Sequence, residues 1–513
     1  MLVLVWVWIF LSVLAIVAYN VLSFYWLSPR HIRRVMESQG ISGPKPRFLI
    51  GNMKEMSSLV ATTTCKDMTF IDHNIVGRII PHYVLWSKQY GKRFIFWVGS
   101  EPRMCLTDTN LIKEFFIKHS NHSGKSWLQQ EGTKHFIGKG VLMANGMEWY
   151  HQRQIVSPAF MADKLKNYAE YMVQCTNEML DSLSEALRSS GSTEVEIGQY
   201  MVQVTAEIIC RTAFDSSYEK GKQIFETLTQ LQHLCSQANQ HLYFPGSRFF
   251  PNKYNREIKS KKKEMENLLK EIIASRKVRV GTSQQSDLLS LLLSETNKSK
   301  SKKGFKIDVQ MVMDECKTFF FAGHETSSTL LTWTIMLLAS NTEWQCRVRA
   351  EVLHVLNDGQ TPLPEQLHKL ILLNMVINES MRLYPPAFPF PRMFFDDIKL
   401  GDLDIPKGLS IWVPVLAINH SEDIWGKDAN EFKPERFVDT QTFTTGKLFM
   451  PFGMGPRTCI GQAFALREAK IVLALLLSRF SFTISENYRH APVNVLTLKP
   501  KYGVPIHLKP LSS

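Results

Sequence analysis

Apolar positions are distributed unevenly along this chain, and the unevenness predicts most of its elements. From Met1 to Pro29 there is no charged side chain, and Leu, Val, Ile, Trp and Phe dominate. A run of about 20 such residues crosses a bilayer core as a helix. Arg30, His31, Arg33 and Arg34 follow at once. With basic residues on that flank only, the positive-inside rule puts the N-terminus in the lumen and the body in the cytosol. A cleaved signal peptide calls for a charged leading region and a shorter apolar run, and the sequence has neither. Gly43-Pro-Lys-Pro-Arg47 then predicts a stiff extended connector, because proline fixes its own φ and restricts the residue before it. A plain solvated linker is the alternative. The implied division is a membrane helix over 1–29, a basic, Pro-rich connector over 30–50 and a globular body over 51–513.

Within the body the pattern shifts toward short strands between Ile79 and Asp108, where Arg93-Phe-Ile-Phe-Trp-Val98 is aromatic and β-branched between Gly91 and Gly99. Ser120 to Phe136 shows weak periodicity and is expected to be a loop over a pocket. Val195–Phe214 and Gln223–Leu242 have amphipathic spacing. Phe244-Pro-Gly-Ser-Arg-Phe-Phe-Pro251 interrupts it as an apolar loop, either an entry lid or a segment packed on the body. The next helix carries Lys259, Lys261, Lys262 and Lys263 as a solvated face. Asn297–Gly304 is a polar, Lys-rich loop between a short apolar helix, Asp287–Leu293, and the longest predicted helix, Asp308–Ser340. At 1.5 Å per residue that helix is roughly 50 Å long and crosses the whole body.

Composition narrows the function classes. The chain has 513 residues with 44% hydrophobic and 21% charged content, and no clear boundary in its middle, so one large body is expected. Net charge is +13, from 60 Lys and Arg against 47 Asp and Glu. The positives are scattered, with no basic helix or aromatic-interleaved module, so nucleic acid is not expected as a partner. A negative membrane surface and an acidic redox partner fit better. The eight cysteines show no paired spacing and read as reduced thiols. The Gly-rich nucleotide fingerprint is missing as well, so electrons are expected to arrive from another protein.

The candidate chemistry centres on Phe452-Gly-Met-Gly-Pro-Arg-Thr-Cys-Ile-Gly461, directly ahead of an apolar-periodic segment, Gln462–Phe480. A helix N-terminus stabilises a thiolate through unpaired N–H groups and the positive end of the dipole. Gly455 and Gly461 let a flat ring lie against the backbone. Phe452 offers an aromatic face, and Arg457 a fork for a carboxylate. Zinc and iron–sulfur sites need about four ligands, and no second Cys or His lies nearby. For an isolated cysteine the alternative is a buried structural thiol.

In the long helix stands Ala322-Gly-His-Glu-Thr-Ser327. Thr326 follows Ala322 by four residues, so its hydroxyl can bond that carbonyl and bend the helix, with Gly323 giving room at the bend. Glu325 and Thr326 then form an acid–alcohol pair suited to relaying protons; a kink with a surface carboxylate is the alternative. His324 has no assigned role. On a predicted helix, Asn374–Leu383, Glu379 and Arg382 are three apart, which alone is a common helix-surface pair. Trp149 and Arg153 stand four apart on another, which alone also describes a core edge with a snorkelling cation.

The spacing F-x-x-G-x-R-x-C-x-G, met by Phe452, Gly455, Arg457, Cys459 and Gly461, resembles the haem loop of the cytochrome P450 monooxygenases. W-x-x-x-R at Trp149 and Arg153, A-G-x-E-T at 322–326, E-x-x-R at Glu379 and Arg382, and Pro434-Glu-Arg-Phe437 follow the family's order, so the resemblance spans nearly the whole chain. It implies a mainly α fold with a small β region and haem b between the longest helix and the Cys459 helix. It also implies Cys459 as axial iron ligand, and Trp149, Arg153, Arg392 and Arg457 around the propionates. Glu325 and Thr326 would be the oxygen-activating pair, and Glu379, Arg382 and Arg436 a buried network that is structural. Phe388 is expected along the haem, with Val495–Leu498 returning a turn to the pocket. An NADPH-cytochrome reductase is the implied electron donor and the endoplasmic reticulum membrane the implied location. Ser126-Trp-Leu-Gln-Gln130, Thr318-Phe-Phe-Phe321 and Asn487-Tyr-Arg-His-Ala-Pro-Val493 with Leu498-Lys-Pro-Lys-Tyr-Gly503 further resemble the plant cytokinin trans-hydroxylases. That implies an N6-isopentenyladenine nucleotide as substrate. The alternatives are a gibberellin-like terpenoid substrate, an O2-independent haem-thiolate isomerase, and a non-catalytic binder with Cys459 as a core thiol.

Overall fold

The structure is a computed structural model. It describes residues 2–511 apart from 215–217, 240–252, 280–286, 297–306, 357–363, 389–390 and 439–447. The expected apolar loop at Phe244–Pro251 and the Lys-rich loop at Asn297–Gly304 therefore lie outside the described residues.

The N-terminal helix does not stop at Pro29. Leu2–Leu22 is α-helical, Ser23–Leu27 forms a π-turn and Ser28–Ser38 resumes the α-helix. Proline lacks an N–H and its ring crowds the carbonyl four residues back. The widened turn, in which the Ser28 N–H reaches Ser23 O, relieves that crowding just ahead of Pro29. Side chains from Leu4 to Leu22 are exposed, and this is the one stretch among the described residues long and apolar enough to cross a membrane. Ile32 and Met36 are buried, joining Ile41, Ile95, Trp97, Met104 and Ile405 in one apolar cluster. The first part of the predicted connector is thus helix docked on the body. Only the part beyond it is extended: it runs beside the Phe94–Val98 strand, where Ile95 N–H bonds Ser42 O at 3.1 Å and a Cβ on Gly43 would fall 1.9 Å from Ile95 O.

Strands Phe94–Val98, Glu101–Cys105, Ser410–Trp412, Arg392–Phe394 and Ser123–Gly124 form a five-stranded sheet in that spatial order. Only the Glu101–Cys105 and Ser410–Trp412 pair is parallel. The strand region expected between Ile79 and Asp108 is narrower than the pattern suggested, since Pro81–Tyr90 is a helix. The expected loop at Ser120–Phe136 also holds a helix, Trp127–Thr133. Ser126 caps it, and Ser126 with Gln129 completes a reciprocal capping box. Ser126 Oγ also donates to the buried Glu101 carboxylate at 2.5 Å, pinning the helix to the sheet.

Everything else is largely helical. The Ile197–Phe214, Gln462–Arg479 and Ile371–Leu383 helices pack around the Val309–Ser340 helix in the main apolar core. Asp308 caps the long helix, accepting from Met311 N–H at 2.7 Å. From Val312 to Ala339 every residue of it is buried except Ala322, Gly323 and Thr326. Those three lie together on one face at mid-length, the spacing of one helical turn.

Candidate active site

The Cys459 loop is shaped by backbone that only glycine tolerates. Gly455 has φ +73°, and a Cβ there would fall 2.2 Å from Phe116 O. A 3₁₀ turn, Gly455–Arg457, leads to Cys459, whose N–H donates to Phe452 O at 2.8 Å. Ala465 N–H then bonds Gly461 O at 2.8 Å, opening the Gln462–Arg479 helix. Protein surrounds the Cys459 side chain, yet the residue remains solvent-accessible. Burial pushes the thiol up, while the Gly461 N–H and the positive charge of Arg153 favour the thiolate.

A group of buried and half-buried cations stands beside this loop. Arg153 comes from the Gly146–Val156 helix, Arg392 from the sheet and Arg457 from the loop itself. The Arg457 guanidinium lies 4.4 Å over the Trp149 ring and donates to Ala144 O at 2.8 Å. Arg392 donates to Ser120 Oγ at 3.2 Å and lies 5.0 Å over Phe116. Burial brings Arg392 down to about 10. Burial, with Arg392 and Arg153 nearby, brings Arg457 down to about 9. No carboxylate among the described residues forms an ion pair with any of the three guanidiniums. Lys125, a residue the sequence did not single out, is buried among them and is likewise depressed by burial, Arg392 and Arg457. A single thiol, clustered cations and a glycine-lined loop suit a flat, dianionic iron porphyrin.

In the middle of the long helix, Thr326 Oγ1 donates to Ala322 O at 2.8 Å, as its spacing predicts, and the helix runs on uninterrupted from Val309 to Ser340. Gly323 does not leave open room. A Cβ there would fall 2.7 Å from Ile209 Cδ1, so the missing side chain admits the neighbouring helix. His324 is buried against Phe225, its Nδ1 bonded to Phe320 O, and burial holds its pKa down. Glu325 is also buried, but its carboxylate meets a hairpin, Pro492–Val495 with Thr497–Pro500. Oε1 accepts from Thr497 Oγ1 at 2.8 Å and from Lys499 Nζ at 2.6 Å. Burial pushes this carboxyl up, and Lys499, His324 and Thr497 together hold it below its ordinary value. The turn expected at Val495–Leu498 thus brings Thr497 to Glu325, but neither the Thr497 nor the Lys499 contact is signalled by spacing, since both lie more than 170 residues away.

The structure brings Glu379, Arg382 and Arg436 together. Arg382 Nε and Nη2 bond the two Glu379 oxygens at 2.7 and 2.8 Å, with both side chains fully buried. Arg382 Nη1 donates to Asn419 O and Ala429 O at 2.7 and 2.6 Å. Arg436 Nε lies 3.5 Å from Glu379 Oε1 and its Nη1 is 2.8 Å from Asp428 Oδ1. Phe388 and Phe452 pack partly buried against the main core. Glu468, on the Gln462–Arg479 helix, is a further buried carboxyl the sequence reading passed over: burial takes it up to about 8, with Ser327 as its polar neighbour.

The least buried face of the long helix, the thiol loop and the clustered guanidiniums together fit a haem-thiolate enzyme. A cytochrome P450 family profile matches residues 74–505, and the chain belongs to that family, haem b-dependent monooxygenases. Two cytokinin hydroxylases of Arabidopsis thaliana are similar to it, one 58% identical over 509 residues (98% of each chain) and one 60% identical over 499 (96% of each). Secologanin synthase 1 of Catharanthus roseus is 36% identical over 504 residues, 97% of this chain and 96% of that one.

Proposed function

We propose that this monooxygenase hydroxylates the isopentenyl side chain of N6-isopentenyladenine nucleotides, giving trans-zeatin-type cytokinins. Electrons come from NADPH through a membrane-bound reductase, and the Leu2–Leu22 helix anchors the enzyme in the endoplasmic reticulum membrane with its body in the cytosol. The observation that carries this reading is the 58% and 60% identity to cytokinin hydroxylases over nearly the full chain, against 36% for a relative of different named product.

Bound haem supplies dioxygen activation and oxygen insertion into a C–H bond. The protein supplies the rest. Cys459 would hold the iron through its thiolate, and Phe452 and Gly461 would line the ring. Arg153, Arg392 and Arg457, with Trp149, bind the propionates, whose negative charge answers the clustered guanidiniums. Thr326 and Glu325 deliver protons at the face where the long helix is least buried. The Thr326 hydroxyl spends its proton on Ala322 O, leaving its lone pairs to accept from water. The Glu379–Arg382–Arg436 network holds the chain beneath the loop and takes no part in the chemistry.

The test is co-expression with a plant reductase, feeding of isopentenyladenine forms and, in parallel, gibberellins, and product analysis by mass spectrometry. A side-chain-hydroxylated cytokinin is expected, with the reduced CO complex showing a thiolate-type Soret band that Cys459→Ser removes. Turnover of gibberellin alone overturns the substrate, and an unchanged spectrum in Cys459→Ser overturns the site.

A further inference from the structure

The hairpin that meets Glu325 is fixed to the body at several points. Leu498 O accepts from Trp333 Nε1 at 2.6 Å, Leu498 N–H bonds Pro386 O at 3.0 Å, and Thr497 bridges to Ala387. Its turn is tight enough to put Leu496 at φ +67°. Alternate residues of a strand share a face, so Thr497 and Lys499 both present their side chains to Glu325 while Leu498 bonds through its backbone. Both converge on the same carboxylate oxygen, Oε1. The ion pair is also asymmetric: the Glu325 side chain is 7% exposed and that of Lys499 37%. Lys499 therefore links a buried acid to water.

We propose that Lys499 is a positioning residue that keeps Glu325 ionised and held to the hairpin, and so governs when Glu325 passes a proton to the oxygen site. This rests on the role given to Glu325 above. Among the described residues, the titratable groups facing Glu325 are Lys499 from the hairpin and His324 from its own helix, and burial holds the His324 pKa below its ordinary value. Thr497 is the other polar neighbour. The proton accounting is simple: one proton from water enters at Glu325 Oε2, the neutral acid is no longer held by the ammonium, and after giving that proton up toward Thr326 the carboxylate returns to Lys499. No electron moves, and Lys499 stays charged throughout. Because the hairpin is also tied to the 386–387 segment and to Trp333, a shift of any of these contacts changes the grip on Glu325.

The experiment uses full-length holoenzyme with its reductase, comparing Lys499→Met, Lys499→Arg and Glu325→Gln. Product formed per NADPH oxidised, the solvent deuterium isotope effect on kcat and the infrared carboxylic-acid C=O band at neutral pH are read for each. In Lys499→Met, burial without its counter-charge neutralises Glu325, so an acid band is expected that wild type lacks and that the Lys499→Met, Glu325→Gln double variant loses. Product per NADPH should fall roughly tenfold, less than the hundredfold or more that losing a proton donor costs, with the difference released as hydrogen peroxide. Lys499→Arg should restore both. An unchanged Lys499→Met, with Glu325→Gln impaired, overturns the role of Lys499 and leaves that of Glu325 standing. An unimpaired Glu325→Gln overturns the proton-relay reading itself.

Discussion

Two groups of arginines, one buried around Glu379 and one partly buried beside the thiol loop, are built in opposite ways. Around Glu379, every positive charge has its answer inside the chain: Arg382 is gripped by two carboxylate oxygens and by carbonyls from three separate residues. Around Trp149, Arg457 meets a carbonyl and an aromatic face and Arg392 a hydroxyl and an aromatic face, and no carboxylate among the described residues pairs with either of them or with Arg153. Desolvating a charge without a counter-charge is unfavourable. A chain keeps such a group where an outside anion completes it, so the contrast supports the proposed division: the first group as architecture, the second as a receptor for the propionates.

The comparison breaks most visibly at Arg382. Arg382→Ala strands the fully buried Glu379 and should cost about 3–5 kcal/mol, read as loss of folded holoprotein or a large fall in denaturation midpoint. A smaller effect is expected at Glu468, a buried carboxyl that pairs with no cation among the described residues. Its folded pKa, up to about 8, lies above the ordinary carboxyl value, so its contribution to stability is present in acid and lost as pH rises through 8. Glu468→Gln should therefore lose less stability than wild type between pH 5 and 8, by up to about 1 kcal/mol per pH unit, followed by thermal denaturation. Next come Arg392→Met and Arg457→Met. If this group serves an outside anion, apoprotein stability should hold or rise while haem affinity falls about tenfold for each, roughly 1.4 kcal/mol, measured by haem transfer to an acceptor protein. A marked loss of apoprotein stability in both would make the second group architecture like the first. Smallest is Ser126→Ala, about 1 kcal/mol from the lost cap next to Lys125.

How far each group is legible in the sequence follows from how local it is. Glu379 with Arg382 and Thr326 with Ala322 are separated by three or four helical residues, and the long helix announces itself by length, apolar pattern and its Asp308 cap. Arg457 is offered by its place in the Cys459 loop, whereas Arg392 carries no pattern of its own and enters through the family resemblance. Lys125, Thr497 and Lys499 escape because strand pairing and hairpin docking, not spacing, bring them in. The Trp127–Thr133 helix is missed for another reason. It has two apolar residues at its start and polar ones after, so periodicity says loop while the Ser126–Gln129 box says helix. Pro29 misleads in the same fashion, because one π-turn cancels its usual effect.

That π-turn has a mechanical consequence. Backbone hydrogen bonding is continuous from Leu2 to Ser38, and the far end is wedged into the body by Ile32 and Met36, so no swivel separates the apolar rod from the enzyme it carries. Spinning the rod spins the enzyme. Adding one residue between Ser23 and Ser28 would turn the body by roughly 100° about the rod, presenting a different flank to everything else that floats in the same lipid sheet.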